Sequence, residues 1–222
     1  MAKVIVSYDG TDNDRDALAL GRLFTQAGAS IALAYVRHAH EEQSSRERLA
    51  EQEAKELLLA GAKELGDEDI STHVVLSGST ATGLRDLALE TTADVIVFGS
   101  EYRTAPGHVD PQASARKLLD GGPVAVALAP AGFHEQGQYN VGSIGPIGED
   151  GDPCVLETAE SLAGRLGGAV APKATADVDL LVVGSKPGTV NGRIRIGAAS
   201  EYLIELARCP VIVLPRGVAV EF

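Results

Sequence analysis

Short apolar runs alternate with longer amphipathic stretches along the first 130 residues of this chain. KVIVSY at 3–8 reads as a strand closed by an Asp9-Gly10-Thr11 turn. In DRDALALGRLFTQAGA, Ala17, Leu20, Leu23 and Phe24 share one helical face, with Thr11 or Asp12 placed to cap it. SIALAYV at 30–36 is a second strand. A charged helix over 41–65 follows, with Leu49, Leu57, Leu58 and Leu65 as its buried stripe. Residues 70–76 predict a third strand, 82–91 a third helix, and ADVIVFGS at 93–100 a fourth strand. A short helix at 114–119 and the strand PVAVALAP at 123–130 complete the series. Strands alternating with helices imply parallel pairing through right-handed crossovers, hence an α/β, doubly wound parallel five-stranded sheet.

The pattern then recurs in shortened form. ADVIVFGS and VDLLVVGS stand about 85 residues apart, and PVAVALAP and PVIVLPRG about 87. After a linker at 131–138, residues 139–147 match the first strand and 154–166 the first helix. Roughly fifty residues, covering the second strand, the long helix and the third strand, have no counterpart. GGAVAPKATADVD is too short for a strand and a helical crossover, so the second half should have three strands. Three strands cannot bury two faces alone, so the second half should lean on the first or on another chain; the fifth strands are strongly apolar and are expected to meet inside one molecule as an intramolecular pseudo-dimer.

The most regular glycine pattern lies in that second half. After DVDLLVV at 177–183 come Gly184 and Ser185, then Gly188, Gly192 and Gly197, and a helix over 198–207 carrying Ser200. Absent Cβ atoms and the unpaired N–H groups of a helix start make such a place suited to an anion. Lys186, Arg193 and Arg195 surround it. They suit either retained anion binding or an ordinary exposed loop.

The Gly-Ser pair after an apolar strand, the glycines that follow and the helix ending in CPVIVLPRG resemble the adenine-nucleotide loop of the universal stress protein family. The family pattern is GxxG, nine residues, then G followed by Ser or Thr. Gly184 and Gly197 hold its outer spacing, Gly188 falls one place late, and Ala198 stands where a hydroxyl belongs. The resemblance implies a complete domain at 1–132 and a shortened one at 138–222, the first with strand order 3-2-1-4-5. It places a crevice between strands 1 and 4. There Asp9 either accepts from the adenine amino group or simply closes its turn, while Val36 matches the residue lining the base. In the first loop, Gly99 and Ser100 are followed by Tyr102 in place of the inner glycine. Pro111 and Gln112 stand near the third glycine and the hydroxyl. Ile147 is aligned with Asp9. The resemblance therefore implies a regulatory protein that binds ATP or AMP, with Mg2+, at no more than one site. The alternative is a degenerate scaffold working through protein contacts with an unidentified partner, and further homodimerisation is open to either.

Charge narrows the partners. The net charge is −12, so a nucleic-acid surface would form against the protein's own field. No apolar run approaches a membrane span, and a cytoplasmic location is expected. Cys154 and Cys209 form no disulfide framework and read as small core residues. HAHEE at 38–42 reads as a solvated turn rather than a metal site. No nucleophile-base set, HExxH or Walker loop is present, so no catalytic residue is expected and ATP hydrolysis should be slow at most.

Overall fold

The computed structural model describes residues 1–38, 44–148, 151–172 and 178–222. In chain order the elements begin with β1 (Lys3–Ser7), α1 (Asp12–Gln26), β2 (Ser30–His38), α2 (Ser44–Leu65) and β3 (Ser71–Ser77). They continue with α3 (Thr80–Thr91), β4 (Val95–Phe98), α4 (Ala113–Leu119) and β5 (Ala125–Leu128). A 3₁₀ turn at Phe133–Gln136 leads to β6 (Ser143–Ile147), α5 (Pro153–Leu166), β7 (Ala169–Val170), β8 (Leu180–Val183), α6 (Ala198–Leu206) and β9 (Val211–Val213). Of HAHEE, His38 ends β2 and the remaining residues lie outside those described.

Two local expectations are corrected. Thr11 is the N-cap of α1, but its side chain makes no capping bond. Asp14 at the third helical position reaches back instead, accepting from the N–H groups of Asp9 and Gly10, a variant of the capping box. In α2, Leu49 is 59% exposed. The buried stripe is Ala54, Leu58 and Ala62, one residue per turn, because small residues bring this helix close to the sheet.

The sheet runs β3-β2-β1-β4-β5-β9-β8-β6-β7. Its first five strands show the 3-2-1-4-5 order, and every adjacent pair is parallel except β5 and β9. The two last strands of the halves thus meet, with Val126 opposite Val213, Ala127 opposite Ile212 and Leu128 opposite Val211. Val97 lies beside Ala127 and Val182 beside Ile212, so the geometry recurs at a shift of 85, not 87, for these strands. A slip of two leaves every side chain on its own face, which is why the apolar pattern tolerates it.

The expectation of three strands in the second half is also corrected. β7 pairs with β6 through Ser143–Ala169 and Ile144–Val170, as β2 begins on β1 through Lys3–Ser30 and Val4–Ile31. A second strand therefore starts and stops after two residues. Pro146, which has no N–H to give, stands on β6 where β7 has already ended. Register also moves the position matching Asp9. Val6 sits beside Val97 and Pro146 beside Val182. Ile147 is then level with Ser7 rather than with Asp9, and the position level with Asp9 lies outside the described residues.

Each face of the sheet carries one apolar core spanning both halves. One joins Leu20, Phe24 and Leu58 to Leu162, Ile212 and Phe222. The other joins Leu84, Phe98 and Leu118 to Ile194, Ile204 and Val213. The Phe222 ring stands 5.0 Å from that of Phe24, and its carbonyl accepts from Arg165 Nε at 2.9 Å, so the last residue ties α1 to α5. With cores shared in this way, Ile212→Ala is expected to cost about 2–5 kcal/mol. Amide exchange should show protection falling together in β1 and β8 rather than in the second half alone.

Candidate functional site

The winding of the first five strands reverses between β1 and β4, and a cleft of about 830 Å³ opens at their carboxyl ends. Asp9 lines it, together with Asp12, Asp16, Glu101 and Glu135; among the described residues its walls hold one histidine, His134, and no lysine or arginine. The Asp9 carboxylate accepts from the Thr11 N–H at 3.1 Å, so it does close the Asp-Gly turn. Gly10 has φ of +83°, the left-handed conformation that favours glycine, and a Cβ there would have to displace the tip of the Leu57 side chain. Val36 is buried under α3, where its side chain would meet a Cβ at Gly83, and is not among the cleft walls.

Asp14 lies beneath this turn, and burial followed by the neighbouring Asp9 carboxylate pushes its pKa up to about 8. Asp16 is buried and accepts from the N–H groups of Gly132 and His134, each at 2.9 Å, and its Oδ1 lies 2.6 Å from His134 Nδ1. The segment after β5 is thereby fastened across the cleft wall. Neither Asp16 nor His134 is signalled by the sequence, because they stand 118 positions apart. Asp14 is legible in hindsight from the Thr-x-x-Asp spacing of a capping box.

Both Gly-Ser pairs serve the architecture. Ser100 Oγ donates to the Ala129 carbonyl at 2.7 Å and accepts from the Asp110 N–H at 3.2 Å. Ser185 Oγ donates to the Leu214 carbonyl at 2.8 Å and accepts from the Arg195 N–H at 3.1 Å. Each hydroxyl is buried and ties a strand end to the neighbouring strand and to the returning loop. A Cβ on Gly99 would lie 2.0 Å from the Asn13 carbonyl oxygen, and one on Gly184 would lie 2.6 Å from Val155. These glycines let the loop pass the start of a helix.

The second loop is held by the first half. Gly121 donates to the Ile194 carbonyl at 2.8 Å, Ile194 donates back to Gly122 at 2.9 Å, and Arg195 forms a bridge with Asp120. Gly188 and Gly192 have φ of +77° and +73°, as tight turns demand. Gly197 is the N-cap of α6, and Ser200 is buried in its first turn. The three cations diverge. Lys186 and Arg195 line a cavity of about 300 Å³ between α4 and α6, whereas Arg193 lines another of about 230 Å³ beside α3. Gly107 and Gly192 make matching bonds, to Ala131 and Arg216, which places Gln112 level with Gly197 and Pro111 level with Ile196. That corrects by one residue the expected place of the third glycine in the first loop. Gln112 Nε2 donates to the Gly99 carbonyl at 3.1 Å, laying a side chain across the loop where glycine would leave it bare.

Two consequences are measurable. The folded-state pKa of Asp14 lies above its unfolded value near 3.8, so its contribution to stability is complete below about pH 4 and is lost as pH rises through about 8. Melting temperature should fall across that interval, and Asp14→Asn should flatten the fall. Ser185→Ala, which strands a buried carbonyl and an N–H, should cost about 1–3 kcal/mol in denaturant titration.

Known proteins were compared with this geometry. The model of the Universal stress protein family matches residues 1–128. No match was found among curated proteins. A functionally unknown protein from Pseudomonas aeruginosa PAO1 is 14% identical with a TM-score of 0.64, covering 98% of this chain and 93% of its own. A universal stress protein from Archaeoglobus fulgidus DSM 4304 is 18% identical with a TM-score of 0.62, covering 97% of this chain and 98% of its own. Both likenesses concern the fold. A universal stress protein from Archaeoglobus fulgidus in complex with dAMP is 19% identical over 45% of this chain and 81% of its own, at a TM-score of 0.36 that supports no structural inference. With the family match spanning more than half of the sequence and the 3-2-1-4-5 sheet beneath it, the chain belongs to the universal stress protein family.

Proposed function

We propose that this universal stress protein is a regulatory binding module in which adenine-nucleotide recognition, of ATP or AMP, is confined to the loop between β8 and α6. The observation that carries this reading is the contrast in charge between the two loops. The first-half cleft is walled by five carboxylates, with Gln112 laid across its loop, and repels a phosphate chain. The second loop keeps glycine at the start of α6 and carries Lys186, Arg193 and Arg195, of which Lys186 and Arg195 share one cavity with Asp120, Glu201 and Glu205. Among the described residues no group of three or more metal-ligating side chains occurs, so Mg2+ would arrive with the phosphates rather than be held by the protein. The reading assigns no catalytic residue. Among the described residues no helix is long and apolar enough to cross a membrane, in keeping with a proposed cytoplasmic setting. Within this reading residues 138–222 are a shortened copy of the first domain.

A scaffold that binds no nucleotide is the second reading, and the ending of β7 after two residues favours it. Among the described residues β7 makes only two pairs with β6 and offers no longer strand as a wall for a base. Leu118 on α4 is 3% exposed beneath α3, while Leu203, its counterpart on α6, is 37% exposed beside Tyr202 and Leu206. That uncovered face suits a protein contact. Mass spectrometry of gently purified protein decides between the two. Co-purifying ATP or AMP that disappears in Gly197→Trp supports the nucleotide site. An empty protein with no thermal shift in millimolar ATP and magnesium establishes the scaffold.

A further inference from the structure

The pocket beside α3 lies away from both crevices and is built by the two halves together. α3 contributes Thr82 and Arg85, α4 contributes Lys117, the turn after α4 contributes Gly121, and the second-half loop contributes Arg193. Among the described residues three cations face this space, and Asp120 is the one carboxylate on its wall. In a chain of net charge −12, such a concentration marks a local reversal of field, and a concave wall focuses it.

The donors are held in place. Arg193 Nη1 donates to the Gly121 carbonyl at 3.2 Å, which fixes the guanidinium at the seam and leaves its other N–H groups to spare. Arg85 is ion-paired with Asp86, which lies outside the pocket, through Nε at 2.8 Å and Nη2 at 2.7 Å; this holds the guanidinium in place, offsets part of its charge and leaves Nη1 to face an anion. Thr82 Oγ1 accepts from Ser79 Oγ at 2.9 Å, so its own proton is available to donate. Asp120 is drawn toward Arg195, 3.6 Å away. At about 230 Å³ the space is below the roughly 300 Å³ at which pockets for organic ligands begin. Its occupant is therefore small, polar and multiply negative.

We propose that this pocket binds a phosphate-class oxyanion, either inorganic or the phosphate end of a larger molecule, and that the anion clamps the two halves together. Guanidinium forks match the geometry of phosphate oxygens, and Lys117 adds a point charge. The site does not depend on nucleotide binding at the glycine loop. Because Arg85 and Lys117 come from one half and Arg193 from the other, occupancy stabilises their docking by mass action.

The test is thermal melting and calorimetric titration of the full chain with inorganic phosphate, pyrophosphate and ADP, against sodium chloride of equal ionic strength. The expected result is a saturable rise in melting temperature with pyrophosphate. In the Arg85→Gln, Lys117→Gln variant its affinity should be at least about tenfold weaker, as for loss of about 1.4 kcal/mol. That variant should melt normally without ligand, since it removes no core contact. Gly197→Trp should retain the response. ADP binding no tighter than pyrophosphate identifies the bare oxyanion as the ligand, and tighter binding identifies a nucleotide's phosphate end; either supports the site. The proposal is overturned if the shift matches that in sodium chloride. It is equally overturned if the double variant responds unchanged, or if the response vanishes in Gly197→Trp and survives in the double variant.

Discussion

Three residue pairs between β5 and β9 are the constraint on which the rest of the molecule depends. They turn two parallel sheets, one of five strands and one of four, into a single sheet of nine. The smaller part ends in a strand only two residues long. Joining at β9 gives it a neighbour of full width, and each core then continues from one part into the other. The C-terminal residue completes the arrangement by packing Phe222 between α1 and α5.

That junction also decides what the loops can do. The second glycine loop does not hang over its own crevice as a free cradle; its middle is hydrogen-bonded to Gly121 and Gly122 of the first half. Its cations are thereby divided between two cavities that exist only because the halves meet. The first loop shares the internal ties of the second, Glu101 N–H to the Asp110 carbonyl and the Ser100 hydroxyl matching Lys186 N–H to the Arg195 carbonyl and the Ser185 hydroxyl. Equivalent positions carry opposite charge: Glu101 against Lys186, Asp110 against Arg195. One protein therefore lines its first crevice with carboxylates and brings cations from both halves to the seam, where Asp120, Glu201 and Glu205 stand among them.

Strand and helix identity and the parallel pairing of the first five strands were written in local pattern, whereas the order of those strands and the meeting of the fifth strands followed from the family resemblance. Buried parallel strands are continuous apolar runs, and an amphipathic helix declares its face every three or four residues. The shortening of the second half was equally legible from spacing. What escaped was anything set by register or by partners distant in sequence. A two-residue strand has no periodicity to read, so β7 was invisible, and a two-residue slip of β9 left its pattern unchanged. Leu49 fits the stripe of α2 by spacing, yet the sheet does not reach it, whereas Ala54 and Ala62 are buried because they are small.

By itself, then, the sequence determined that this is an α/β protein, where its strands and glycine turns fall, and that it carries an excess of negative charge. Tertiary structure alone decided which way that charge is arranged. Residues 118 apart bring Asp16 to His134, and residues 72 apart bring Arg193 to Gly121. Glycine motifs look the same in a chain whether their missing Cβ makes room for phosphate or, as at Gly99, for the backbone of Asn13. The distinction lies in what stands opposite, and pairing between halves sets that through distances no local pattern encodes.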